Sequence, residues 1–143
     1  MLTEICHELR NWFIKDRKED IKAGKFKIVS GSFVPPFAMA PGQYYRIYGS
    51  IFNDGVHRWG DAEDILTDEE FTGTIWRMYI PREVLELDQE ITAWNSTNGA
   101  ASGGPYVSEG FGGYTYTKKT AASGGAYTWA DEYRARLNRW RKL

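Results

Sequence analysis

Apolar residues recur at helical spacing near both ends of the chain and at strand spacing between them. Ile5, Leu9, Trp12 and Phe13 fall at i, i+4, i+7 and i+8, with Thr3 as candidate N-cap, so an amphipathic helix opens the chain. Lys15 to Lys25 is charged and carries Gly24, which reads as a helix end or connector. Phe26-Lys27-Ile28-Val29 begins a strand, Ser30-Gly31-Ser32 turns it into Phe33-Val34, and Pro35-Pro36 stops it because proline donates nothing to a ladder. Residues 43–59 read as a hairpin: Gln43 to Tyr48 and Ile51-Phe52 have strand composition, and Val56 to Trp59 returns. Between them Asn53-Asp54-Gly55 supplies residues that tolerate the left-handed backbone of a sharp turn. Gly73 to Ile80 is the next strand, and Pro81 suits the first turn of a helix whose stripe is Val84, Leu87, Ile91 and Trp94, ending near Asn95. Trp129, Tyr133, Leu137 and Trp140 mark a last helix, with Thr128 as N-cap and Asp131 at the capping-box position.

These elements predict an α+β fold: an N-terminal helix, a small antiparallel sheet of about four to five strands, a helix, a Gly-rich extended arm and a C-terminal helix. Residues 1–95 form the expected core, 96–127 the arm, and 128–143 the final helix as part of that domain or as an assembly element. Eight of the fifteen glycines lie between Gly99 and Gly125, and within the arm Tyr106-Val107 and Gly113 to Thr117 have strand composition.

Composition adds three constraints. Six Trp, nine Tyr and seven Phe in 143 residues argue against disorder, because disordered segments are poor in aromatic rings. One cysteine, Cys6, excludes an internal disulfide and suits a reducing compartment. No apolar run approaches the ~18 residues of a membrane span, and the N-terminus is charged too early for a signal peptide. The expectation is a protein assembled in a cytosol. The net charge of -1 gives no bulk attraction to a polyanion, but it conceals an asymmetry. Residues 1–114 carry 11 basic and 17 acidic side chains; residues 115–143 carry seven and two. A basic tail on an acidic body meets either that body or a partner.

Candidate chemistry is sparse. Cys6 and His7 are neighbours and point to different helix faces, so they read as a buried thiol and a surface imidazole, not as zinc ligands. No motif supports a Cys6–His57 nucleophilic pair, and Gly110-Phe111-Gly112-Gly113 lacks the Lys and Ser/Thr of a phosphate loop. No paired acid, base or nucleophile stands at catalytic spacing, so no enzyme, cofactor or metal is expected. Six of the ten residues from Asp61 to Glu70 are acidic; they read as a solvated loop or as a face for a basic neighbour. In a continuous final helix, at about 100° per residue, Trp129, Tyr133, Arg136 and Trp140 share one arc. Arg, Trp and Tyr are the residues enriched at interface hot spots. The candidate interface is therefore Tyr106, Phe111, Tyr114 and Tyr116 of the arm together with Trp129, Tyr133, Arg136, Leu137, Trp140 and Arg141. The remaining basic residues spread around the helix, which argues against sequence-specific nucleic-acid binding.

Two blocks carry a resemblance. Residues 42–56 (GQYYRIYGSIFNDGV) with 71–78 (FTGTIWRM), and 108–117 (SEGFGGYTYT) with Trp129 and 137–143 (LNRWRKL), resemble neck proteins of tailed bacteriophages, the head–tail connector (adaptor) family. The opening LTEICHELRNWF is similar to proteins of the same group. The resemblance implies a non-enzymatic virion protein that forms an oligomeric ring joining head and tail, with portal and tail or neck proteins as partners. Minor capsid and tail-completion proteins share that gene neighbourhood. A different class, a small carbohydrate- or peptide-binding module, would use Tyr44, Tyr48, Trp59 and Tyr79 as an aromatic surface.

Overall fold

The computed structural model describes residues 1–98, 109–111, 114–116 and 127–142. Tyr106 and most of the arm therefore lie outside the described residues. The chain divides into two compact units, one of residues 12–81 and one of residues 1–11 with 82–143. The fold is α+β, as the periodicity predicts.

The unit of residues 12–81 is built on a four-stranded antiparallel sheet. A short helix α2 (Arg17–Asp20) leads into β1 (Ile21–Ile28), followed by β2 (Tyr44–Tyr48), β3 (Gly55–Arg58) and β4 (Glu69–Met78) in the order β1-β4-β2-β3. The hairpin of residues 43–59 is present, with Tyr44 opposite Arg58 and Ile47 opposite Gly55. Strand β1 starts five residues earlier than composition suggests. Its exposed lysines Lys25 and Lys27 alternate with inward residues, and a lysine-bearing edge strand reads as a connector. Tyr45, Ile47, Phe71 and Ile75 point to one face and join Ile28, Phe33 and Leu66 in a buried core. Rings Phe26 and Phe71, directly opposite in register, sit 5.6 Å apart. Gly73 is required where β2 leaves β4, because a Cβ there would lie 2.2 Å from the Tyr48 carbonyl oxygen.

The other unit joins α1 (Leu2–Leu9), α3 (Arg82–Asn98), the strand pair β5 (Glu109–Phe111) and β6 (Tyr114–Tyr116), and two short helices, α4 (Trp129–Glu132) and α5 (Arg134–Asn138). Helix α1 begins at Leu2 without a side-chain cap, so Thr3 is not its N-cap. It stops at Leu9, because Arg10 adopts a left-handed backbone (φ 52°) and its amide with that of Asn11 closes onto the His7 and Cys6 carbonyls. Trp12 and Phe13 consequently leave the predicted stripe. Helix α3 buries Val84, Leu87 and Ile91 as expected and runs three residues past Asn95. The predicted single final helix is two: the turn opens at Tyr133 (φ -102°, ψ 13°). Thr128 does cap α4, in a capping box with Asp131.

Candidate interaction surface

The two termini of the second unit complete one another. The last four carbonyls of a helix have no partner within it. In α1 two are closed by the cap at Arg10 and Asn11, and the chain's basic end takes the other two. The Lys142 amide donates to Leu9 O at 2.8 Å, and Arg141 Nη1 donates to Glu8 O at 2.5 Å while its Nη2 pairs with Glu8 Oε1 at 3.1 Å. A guanidinium at a helix C-terminus also meets the negative end of the dipole. Asn11 Nδ2 donates to Trp140 O at 2.9 Å.

The C-terminal candidates thus turn inward more than the helical wheel suggests. Arg136 reaches Glu90 at 2.5 Å, and its hydrogen bond holds that carboxyl below the usual carboxylate range. Half-buried Tyr133 stands edge-on to Trp94 at 6.4 Å. Leu137 is fully buried and belongs to the core, so it is not available as a contact. Trp129 heads α4 and is half-buried; because the helix breaks at Tyr133, Trp129 does not lie on one continuous arc with Arg136 and Trp140. Phe111 pairs with Tyr114, and Glu109 with Tyr116, in the β5–β6 ladder. A groove of about 350 Å³ between α3 and α5 is lined by Leu87, Ala135, Arg136, Arg139 and Trp140, with Glu83 and Glu86.

The sheet unit carries a feature that sequence reasoning missed. Ile51 and Phe52, assigned above to a strand, occupy the β2–β3 turn and are 85% and 66% exposed. They are held there by the residues around them. Asn53, only 4% exposed, donates from Nδ2 to Thr67 O (2.8 Å) and Glu69 Oε1 (3.2 Å) and accepts the Thr67 amide at Oδ1 (2.8 Å). Its own amide donates to Ser50 Oγ at 2.8 Å, and the Ser50 hydroxyl in turn donates to Glu69 Oε1. Asp54 Oδ1 accepts the Ser50 amide at 2.7 Å. His57 bridges outward, with Nε2 2.6 Å from Asn53 O and Nδ1 2.8 Å from Asp64 Oδ1. The signal was available in one form: an apolar doublet immediately before Asn-Asp-Gly is unusual in a turn.

The acidic run is mostly absorbed by the same unit, so it is not simply a solvated loop. Asp64 also accepts the Arg58 amide, Asp68 accepts the Ser30 and Gly31 amides at 3.0 and 2.8 Å, and Glu70 pairs with Lys25 at 2.7 Å. On the sheet face opposite the core, Arg46 is 8% exposed and stacks on Trp12 (3.6 Å to the ring centre), Trp76 (4.5 Å) and Tyr48 (4.8 Å). Buried Asp20 pairs with Arg77 at 2.9 Å. Burial raises the Asp20 carboxyl, but the Asp16 amide, Arg77 and the Lys15 amide together leave it below the usual range. Trp59 packs on Phe33 and Tyr45, on the core face, while Tyr44 and Tyr48 alternate to the other face, so these rings do not line one surface. Beside Trp59 an open cleft of about 330 Å³ includes Tyr45, Arg58, Asp61 and Asp64.

Among the described residues no three His, Cys, Asp or Glu side chains converge as a metal site, and no helix is long and apolar enough to cross a membrane. No family model matches the chain, and neither does a curated protein or a solved structure.

Proposed function

We propose that this chain is a structural subunit of a tailed-phage neck, a head–tail connector (adaptor) whose work is to make protein contacts in an assembled particle. The observation that carries the assembly role is the latched β2–β3 turn. Five side chains (Ser50, Asn53, Asp54, His57 and Glu69) hold a loop whose outermost residues are Ile51 and Phe52. Fixing an apolar pair in water has no folding benefit, whereas a rigid apolar point loses little conformational entropy when a partner covers it. The phage assignment is supported by the resemblance of residues 42–56, 71–78 and 108–117. The protein's place is then the virion, after assembly in the host cytoplasm.

Co-expression with the portal protein of the same phage, followed by electron microscopy of purified rings and of virions labelled with antibody to this chain, tests the reading. Density on the portal's tail-facing end and label at the neck are the expected results. A chain absent from the neck and unable to bind portal rings overturns the assignment.

A further inference from the structure

One cleft in the sheet unit is walled by a polar group that the fold leaves unanswered. The cleft beside Trp59, about 330 Å³, adjoins a second of about 400 Å³, and the two share Arg58, Trp59, Gly60, Asp61 and Ala62. Their lining residues all fall within the unit of residues 12–81. The rim is fixed. Trp59 N donates to Gln43 O and Gly42 N to Trp59 O, both at 2.8 Å, and Asp64 holds the other side through His57 Nδ1 and the Arg58 amide.

Tyr45 is 3% exposed, and its ring is enclosed by His57, Phe33 and Trp59, with ring centres 5.5, 5.8 and 6.1 Å away. Its hydroxyl has no hydrogen-bond partner among the described residues. Asp88 Oδ1 is the one sealed side-chain polar atom without a partner among those residues. The Tyr45 hydroxyl is therefore not sealed, and it opens on the cleft that Tyr45 lines. Burial, together with the charge of Asp64, raises the phenol well above its ordinary value, so it stays protonated and able to donate. A buried hydroxyl left unpaired is costly, so an occupant that answers it is favoured.

We propose that this cleft binds a neutral pyranose ring, either a free sugar or one unit of a longer saccharide. Charge of both signs narrows the class. Exposed Asp61 keeps one carboxylate oxygen after accepting the Glu63 amide at 2.9 Å, which opposes an anion. The Arg58 guanidinium lies 5.5 Å from the Tyr44 ring centre with no carboxylate partner among the described residues, which opposes a cation. A purely apolar ligand leaves Tyr45, Arg58 and Asp61 unanswered. Sugar hydroxyls both donate and accept, so neighbouring pairs match a carboxylate and a guanidinium, while the C–H face of the ring packs on half-buried Trp59. The volume stands at the lower end of ligand pockets, and the adjoining cleft continues the site toward a second ring. The site is independent of the neck assignment.

Titration of the full chain with neutral and charged trisaccharides, read by calorimetry and saturation-transfer NMR, tests this. Maltotriose, cellotriose and tri-N-acetylchitotriose are the neutral probes; the trimers of glucosamine and galacturonic acid are the cationic and anionic ones. At least one neutral trimer is expected to bind with a Kd of about 1 mM or below, and the charged trimers at least about tenfold more weakly. Tyr45→Phe deletes only the hydroxyl. It is expected to weaken binding about tenfold while the melting temperature stays unchanged or rises, as it does for a hydroxyl with no structural partner. Arg58→Gln is expected to weaken binding several-fold with an unchanged melting curve. Absence of binding by every neutral trimer at about 10 mM overturns the proposal. So do charged trimers bound as well as neutral ones, or wild-type affinity in both variants. A Tyr45→Phe chain that melts lower also overturns it, because the hydroxyl then serves the fold.

Discussion

Asn53→Ala removes three hydrogen bonds at a side chain that is 4% exposed. A net intramolecular hydrogen bond contributes about 1 kcal/mol, and a buried group left unpaired costs more. Thr67 is exposed, so water recovers part of the loss at its amide and carbonyl, and Glu69 keeps the Ser50 hydroxyl. The expected cost is therefore about 2–3 kcal/mol, from about 1 kcal/mol for each of three bonds less partial recovery by water. In a protein of this size it lowers the melting temperature by about 6–12 °C.

Asn53→Asp sharpens the test. The carboxylate keeps the acceptor for the Thr67 amide but places its second oxygen against Thr67 O and Glu69 Oε1, where the native Nδ2 donates. At neutral pH it is expected to cost more than alanine, and the difference should shrink in acid as the introduced carboxyl gains a proton and can donate again. Urea denaturation at pH 7 and pH 4.5 reads both variants, and amide exchange across residues 50–56 shows whether the turn loosens first. Stability of Asn53→Ala within about 0.5 kcal/mol of wild type, the scatter of ordinary surface substitutions, refutes the latch. So does an Asn53→Asp variant no worse than alanine at either pH.

Asp20 gives the acid limb. Its carboxyl titrates lower in the fold than in the unfolded chain, so its contribution is complete above the unfolded value near 4 and is lost as pH falls through the lower folded value; Asp20→Asn should flatten that part of the stability–pH curve. Asp88 has the opposite sign: burial raises its carboxyl and Oδ1 has no hydrogen-bond partner among the described residues, so Asp88→Asn should leave stability at pH 7 unchanged or higher in chemical denaturation. Arg46→Lys should cost about 2 kcal/mol although it preserves charge, because a planar guanidinium stacks on Trp12 and Trp76 and an ammonium does not; urea midpoints against Arg46→Met separate the charge from the packing. Gly73→Ala should destabilise by more than about 3 kcal/mol, since the Tyr48 carbonyl is backbone and cannot move aside without breaking the β2–β4 ladder; a melting temperature within a few degrees of wild type refutes the close approach.

Periodicity found the elements whose burial follows one repeat. The hairpin of residues 43–59, the α3 stripe and the Thr128 cap each rest on local chemistry that tertiary contacts reinforce. Failures came where a distant segment decides. Helix α1 ends on a non-glycine left-handed residue because the chain's last residues satisfy its carbonyls, and no local signal marks Arg10. Strand β1 reaches into a charged stretch because its partner β4 lies nearly fifty residues away in sequence. Asn53 was legible as a turn former, but its reach to Thr67 and Glu69 was not.

The same distinction separates charge that is spent inside a unit from charge left for a partner. Read along the chain, an acidic body and a basic tail suggest two complementary surfaces. In the fold, Asp64, Asp68 and Glu69 serve backbone amides and side chains of the sheet unit, and Arg136 and Arg141 close on Glu90 and Glu8. Carboxylates in these roles are substitutes for turn and cap chemistry, so their number says little about binding. What remains for a partner is smaller and more specific. Among the described residues the apolar side chains left in water include Val34 and Ile65 and the Ile51–Phe52 pair, and the turn that carries that pair is held by five side chains. Rigidity and apolar exposure oppose each other in a free monomer, since each polar group fixed around Ile51 and Phe52 also prevents them from folding back onto the sheet. On the assembly reading proposed above, a partner that covers the pair removes this opposition, because the turn is already held and little conformational entropy is lost on contact.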